Sequence, residues 1–479
     1  MLLAAFICRQ AEAWPIHRKP GPRRRVSPSF SPLSCYRDAR STTAPSPAVN
    51  FDVRFRRSCH RLRYDVKGGR KSVRWPKGSA VQKNKLTVGL FWHSFKSNNL
   101  GVMALTDANM GLIADAAGDI EIDFVVFGSR GNATFSPPDD YGRVRHIDVS
   151  SVLAVKSIFD EIRKCDLVYD IGGGDSFADI YGWKRLSKVA GLKLVAAAAG
   201  RRPVLSPQTI GPFTSPSTRA VGKTALRACA DVFARDRPSY ERARKLLGNS
   251  SSPALHLSSD VAFSLKRLED WPSPFPEMQD GKKHVGINVS GLLYEGGYAG
   301  DNQFGLSVNY PSLIDGLVGN LSSNADVQCW LVPHVFNPAE ETMESDLRAS
   351  RKVVERFPQA RLAPVFDGPR EAKTFISRMD LMLAARMHAA IAAVSSGTAC
   401  VPMAYSVKFE GLFKSIGYPV VMDLKSVSDS DAMKLVMDCL ADSEALKEKA
   451  RTAGANAMTA LQPYRDKIAR DLAEAQSRR

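Results

Sequence analysis

No run of about 18 or more apolar residues occurs in this 479-residue chain, so no segment reads as a membrane-spanning helix. Its eight cysteines, at 8, 35, 59, 165, 229, 329, 400 and 439, never form a CxxC pair, which speaks against a zinc ribbon or a disulfide framework. Reduced thiols are expected, several of them in apolar settings such as ALRACADVF and GTACVPM, and with them a cytoplasmic location. The glycine-rich stretches match neither GxGxxG nor a P-loop, so a dinucleotide or nucleoside triphosphate is not indicated. Acidic residues are scarce at one end only. Residues 1 to 85 hold 20 Lys plus Arg against 4 Asp plus Glu, which leaves 46 against 45 for the remainder. The formal charge of +17 therefore belongs to an arm, and the body gives no reason to expect nucleic acid as a partner.

That arm, residues 1 to 84, is rich in Arg, Pro and Ser (GPRRRVSPSFSPLS) and keeps neither helical nor strand period, so it is read as disordered. Its opening apolar run is short and has no basic residue before it, unlike a signal peptide. An upstream translation start is favoured over an anionic-lipid or nucleic-acid arm.

From residue 85 short apolar runs alternate with helical stretches: KLTVGLFWHSF, IEIDFVVFG, DLVYDIGGGDSF, RPVLSPQTIGPF and ADVFA each precede a helix. That alternation predicts a parallel sheet covered on both faces. A proline-rich stretch at 270–284 (DWPSPFPEMQDGKKH) reads as a linker, after which HVGINVSG, VQCWLVPHV, MDLML and ACVPMA repeat the pattern. The expected architecture is α/β: two doubly wound, Rossmann-like domains, 85–269 and 285–429, with a ligand cleft between the carboxyl ends of their sheets. Amphipathic helices over 430–479 are expected to pack back across the junction.

Polar residues gather after the strands. SNNLG at 97–101 offers small residues at a helix start, and a plain turn explains it as well. In DIGGGDSFADIYG, Gly173 and Gly174 either allow backbone to approach a ligand or build a tight strand-to-helix turn, with Asp175 then capping the helix. Gln208 or Thr209 in SPQTIGPF suits a sugar hydroxyl, while the flanking prolines equally suit a rigid turn. Arg235 in ARDRPSY is either an anion clamp or half of a local Arg–Asp pair. In LAARMHAAIAAVSSG, Arg386 and His388 follow a short strand and open a helix, where cations oppose the helix dipole. Stability does not account for them there; recognition of an anion does, and the same dipole lowers the imidazole pKa until an anion compensates it.

GGGDSFADIYG, SPQTIGPF, ARDRPSY and AARMHAAIAAVSSGTACVPMAYSVKFEGL, in this order, resemble the polysaccharide pyruvyl transferase family of exopolysaccharide and cell-wall polymer synthesis, whose pattern is Arg-x-His, a spaced Pro, then Tyr-x-x-Lys. The resemblance runs from about Leu86 to Tyr418. It implies a GT-B-like fold and transfer of the pyruvyl group of phosphoenolpyruvate to two hydroxyls of one sugar, with a cyclic ketal and phosphate as products. It also implies Arg386 and Arg235 as grips on phosphoenolpyruvate, His388 as general acid, and Asp175 and Lys408 among the substrate-binding residues, with no metal and no cofactor beyond the donor. One departure stands out: many members carry Asp after Asn-Leu-Gly, where this chain has Val102. The acceptor sugar is expected to be polysaccharide or a lipid-linked precursor, with peripheral contact to the inner membrane face in the second case. The rival reading is a GT-B glycosyltransferase using a nucleotide-sugar, with Glu410 as the ribose-binding carboxylate.

Overall fold

In the computed structural model, the described residues are 85–479, apart from Arg130, residues 132–135, 273–274 and 337–341, and the side chains of Val152, Val407 and Lys408. The basic arm expected over 1–84 lies outside them. Two all-parallel sheets organise the chain. The first holds β1 (Lys85–Phe91), β2 (Glu121–Gly128), β3 (Val144–Asp148), β4 (Leu167–Asp170), β5 (Val204–Gln208), β6 (Asp231–Ala234) and β7 (Ala254–Leu257), in the order β3-β2-β1-β4-β5-β6-β7. The second holds β8 (Lys283–Asn288), β9 (Val327–Leu331), β10 (Arg361–Leu362), β11 (Leu381–Ala384), β12 (Ala399–Ala404) and β13 (Met422–Asp423), in the order β10-β9-β8-β11-β12-β13.

Central strands are buried on both faces, which is why they read as continuous apolar runs; β5, β9, β11 and β12 are buried at every residue. In each sheet the strand order reverses beside its first strand, between β1 and β4 and between β8 and β11. Those two crevices are where an open α/β sheet holds its ligand.

The proline-rich stretch before β8 does more than connect. Trp271 and Phe275 pack on Phe375 at ring-centroid distances of 5.8 and 5.7 Å, so it is docked through aromatic side chains. At the other end of the chain, helix Gln462–Ser477 lies against the first sheet. Its Tyr464 hydroxyl donates to Asn109 Oδ1 (2.8 Å) and shares a hydrogen bond with Ser206 Oγ (2.7 Å), while Tyr169 donates to Asp471 Oδ2 (3.1 Å). Cys165, Cys229, Cys329, Cys400 and Cys439 are buried free thiols, and among the described residues no helix is long and apolar enough to cross a membrane.

Candidate active site

The two sheets meet through the loops at their carboxyl ends. Asn98 and Leu100, after β1, clasp the loop after β9: Leu100 N donates to His334 O (3.0 Å) and Phe336 N donates to Asn98 O (2.8 Å). Asn99 caps helix Leu100–Ala117 by accepting from Gly101 N (2.9 Å). This capped turn faces the helix start carrying His388. A Cβ on Gly101 would sit 2.4 Å from His388 Nδ1, so the ring occupies the space that any other residue at 101 would need.

Arg386 is the N-cap residue of helix Met387–Val394, and its backbone N donates to Asn288 Oδ1 (2.8 Å) at the end of β8. Its guanidinium does not lie open to solvent. Nη2 and Nε donate to Asp346 Oδ1 at 2.8 and 3.1 Å, and Nη2 also reaches Glu344 O at 3.0 Å. Asp346 is fully buried and also accepts from Asn288 Nδ2, Gly291 N, His334 N and Val335 N. One carboxylate thus ties together the ends of β8, β9 and β11. Most of this fork therefore already faces a carboxylate of the chain.

Arg235 repeats the arrangement from the first sheet. It is 1% exposed at the end of β6, and its Nη1 donates to Asp260 Oδ2 at 2.7 Å. Asp236, its sequence neighbour, stands 3.8 Å from Nε and caps the next helix through Ser239 N, so the local Arg–Asp pair is a long one and the hydrogen-bonded partner is Asp260. Asp260 also stands 3.8 Å from His388 Nε2. His388 Nε2 and Arg235 Nε are buried without a hydrogen-bond partner among the described residues. Burial lowers the His388 pKa, Asp260 works against that shift, Arg235 adds to it, and Asp175 opposes it.

Three successive glycines turn the chain after β4, with φ of 54°, 59° and 88° at 172, 173 and 174. Only glycine occupies such a run without strain. Close packing adds a second restriction: a Cβ at Gly174 would lie 2.7 Å from Leu105 Cδ1, and one at Gly172 would lie 2.1 Å from Gln208 Oε1. Gln208 itself is fully buried and donates from Nε2 to Asp170 O (2.7 Å) and Ser206 O (3.3 Å). Its Nε2 buttresses the glycine turn, and its Oε1 is buried without a hydrogen-bond partner among the described residues. Asp175 accepts from Tyr181 Oη (2.6 Å) and does not cap the following helix, whose N-cap is Gly182.

The sequence reading missed three contributors. Asp260 and Asp346 hold the two arginines, and His334 is 2% exposed with both ring nitrogens unpartnered among the described residues. Burial, His388 and Arg386 together push the His334 pKa down to about 3. Tyr405 at the end of β12 completes the wall: burial raises its pKa, and Arg386 and Asp175 are both near enough to act on it. The Lys408 side chain lies outside the described residues. Glu410 lines a separate cavity of about 600 Å³ with Lys414 and Lys425.

The family model for polysaccharide pyruvyl transferase matches residues 113–407. No curated protein matches the chain in sequence. Among solved structures, a protein assigned as a UDP-N-acetylglucosamine 2-epimerase from Listeria monocytogenes superposes with a TM-score of 0.50 at 12% identity, over 76% of this chain and 90% of its own. S. aureus MnaA with UDP gives 0.49 at 10% identity over 77% and 91%, and a sucrose-phosphate synthase from Thermosynechococcus elongatus gives 0.46 at 12% over 82% and 98%. At these identities the likeness concerns the fold alone, a GT-B arrangement of two parallel α/β sheets.

Proposed function

The chain belongs to the polysaccharide pyruvyl transferase family, and on that premise we propose that it moves the pyruvyl group of phosphoenolpyruvate onto two hydroxyls of one sugar, forming a cyclic ketal and releasing phosphate. The observation that supports this most directly is His388, which sits between the two sheets with its Nε2 unpartnered and 3.8 Å from Asp260. In the resting site burial favours the neutral ring. A trianionic donor beside it would reverse that preference, so the acid becomes charged when the substrate arrives.

The imidazolium gives its proton to the methylene carbon of phosphoenolpyruvate, and C2 becomes an oxocarbenium ion. One sugar hydroxyl adds to C2 and sheds its proton. The C2–O bond to phosphate then breaks, phosphate leaves with the electron pair, and the second hydroxyl adds to the regenerated cation. One of the two hydroxyl protons restores the imidazolium and the other leaves on the phosphate, so the net products are the ketal and inorganic phosphate. Arg386 and Arg235 act as fixed, pre-oriented charges: Asp346 and Asp260 lock their forks, so little side-chain order is lost on binding. Arg386 Nη1 is the nitrogen left to meet the donor's oxygens, whereas Arg235, with Nε 3.8 Å from Asp236, contributes its buried charge.

The assay is phosphate release from phosphoenolpyruvate with sugar or lipid-linked sugar acceptors. Acceptor-dependent release is expected, with His388→Ala lowering kcat at least about a hundredfold, within the range for loss of a general acid. Release that persists in that variant at the wild-type rate would remove His388 from the reaction.

A further inference from the structure

Beside the glycine turn lies a cavity of about 500 Å³ that the reaction above does not use. Its floor is Gly172 and Gly173, one wall is Lys96 from the loop after β1 with Val102 from the first turn of helix Leu100–Ala117, and the other is helix Trp183–Ala198, with Lys184, Arg185 and Lys188. Four cations line it, and no carboxylate is among the described residues that do. Arg185 Nη2 donates to Ser176 Oγ at 2.7 Å and its guanidinium lies 5.6 Å from the Tyr181 ring centroid. Lys96, Lys184 and Lys188 have no ion pair among the described residues.

Stability does not explain this arrangement. Lys184 and Arg185 stand in the first turn of their helix, against its dipole, and that turn has neither an acidic residue nor a side-chain cap. Lys184 and Lys188, four apart on one face, repel each other. Elsewhere in the cleft the cations meet carboxylates of the chain, as Arg386 meets Asp346 and Arg235 meets Asp260. Here the positive charge is left uncompensated around a space larger than a three-carbon donor fills, with Trp92 and Tyr181 as aromatic walls suited to a sugar ring. The Tyr181 hydroxyl holds Asp175, which acts on His388, so the cavity adjoins the reacting centre.

We propose that this cavity is an acceptor subsite for a saccharide carrying a multiply charged oxyanion, a phosphate or a sulfate ester, gripped by Lys96, Lys184, Arg185 and Lys188. The proposal rests on the transferase reading, since it assigns the saccharide to the acceptor. The phosphorylated form would belong to a phosphate-bearing precursor, the sulfated form to a sulfated polysaccharide.

The test is calorimetric titration of the full chain with glucose 6-phosphate, glucose 6-sulfate, glucose and, separately, phosphoenolpyruvate. The charged sugars are expected to bind and glucose is not, and the stronger of the two esters tells which source the subsite serves. Lys184→Ala/Lys188→Ala is expected to weaken the charged sugars at least about tenfold, leave phosphoenolpyruvate binding unchanged, and melt no lower than wild type, because it relieves repulsion. Equal binding of glucose and its esters, or wild-type affinity in the double variant, would overturn the subsite. So would competition between phosphoenolpyruvate and the sugar esters, which would give these lysines to the donor. Failure of wild type to bind phosphoenolpyruvate at all, with the esters still bound at the lysines, would count against the transferase reading and leave the anion site standing.

Discussion

At the scale of single residues, the site depends on what is missing from position 101. Gly101 lies in the first turn of a capped helix, where alanine would ordinarily strengthen the helix by a few tenths of a kcal/mol up to about 1 kcal/mol. Its side chain would collide with the His388 ring at Nδ1, and the ring is the part that can rotate away. Gly101→Ala is therefore expected to keep its unfolding free energy within about 1 kcal/mol of wild type while kcat for phosphate release drops at least about tenfold, since a misplacement near 1 Å can cost about a hundredfold. Unfolding and turnover measured on the same preparation separate the two effects. Unchanged turnover would show that the ring's position is not what matters. The sequence points to Arg386 and His388 because cations at a helix start stand out against the dipole rule. It does not point to Asp346 or Asp260: each lies 40 or 25 positions from the arginine it holds, and an Asp in SDLR or SSDVAF looks like an ordinary cap. His334 is equally silent in VPHVF, because only burial makes an imidazole unusual.

At the scale of elements, the apolar runs identify β1, β2, β4, β5, β6, β8, β9, β11 and β12, since a strand covered on both faces has nowhere to put a polar side chain. The sequence misses β3, β10 and β13, for a different reason. The first is half-exposed along most of its length, the other two span two residues each, and all three are edge strands with no burial pattern to betray them. The triple-glycine turn is legible as a turn, and the structure adds why each glycine is required. Gly172→Ala must take φ near +54° and place its Cβ 2.1 Å from Oε1 of the buried Gln208. Backbone strain and the displaced amide are expected to cost about 2 kcal/mol or more in urea unfolding. Gln208→Ala in the same background would recover part of that loss, because it removes the atom in the way; a loss of the same size with and without Gln208 would leave φ strain as the whole cause.

At the scale of the whole molecule, the two sheets and the C-terminal helix are joined by buried polar groups as well as by apolar packing. His93 at the end of β1 lies in one such chain: its Nδ1 meets Phe91 O at 3.0 Å, its Nε2 meets Asn109 Nδ2 at 2.9 Å, and Asn109 in turn accepts from Tyr464 of the last helix. An Asn that donates to Nε2 needs that nitrogen unprotonated, so the network holds the neutral ring with its proton on Nδ1. Burial pushes the His93 pKa down to about 3, the same value that burial and nearby positive groups give His334 in the cleft. In the unfolded chain both rings titrate near 6.5. Between about pH 6.5 and about pH 3 the unfolded state therefore binds protons that the folded state refuses, and by linkage stability is full above that window and falls as pH drops through it. The slope is about 1.4 kcal/mol per pH unit for each ring, so the pair should cost a few kcal/mol between about pH 7 and about pH 5. Urea unfolding across that range is expected to show the decline, and His93→Gln to show roughly half of it. A decline of only half that size in the wild type would mean that one of these rings gains a proton partner in the folded state. His334 is then the one to suspect, because both its ring nitrogens are buried without a partner among the described residues and His93 has already spent both of its own.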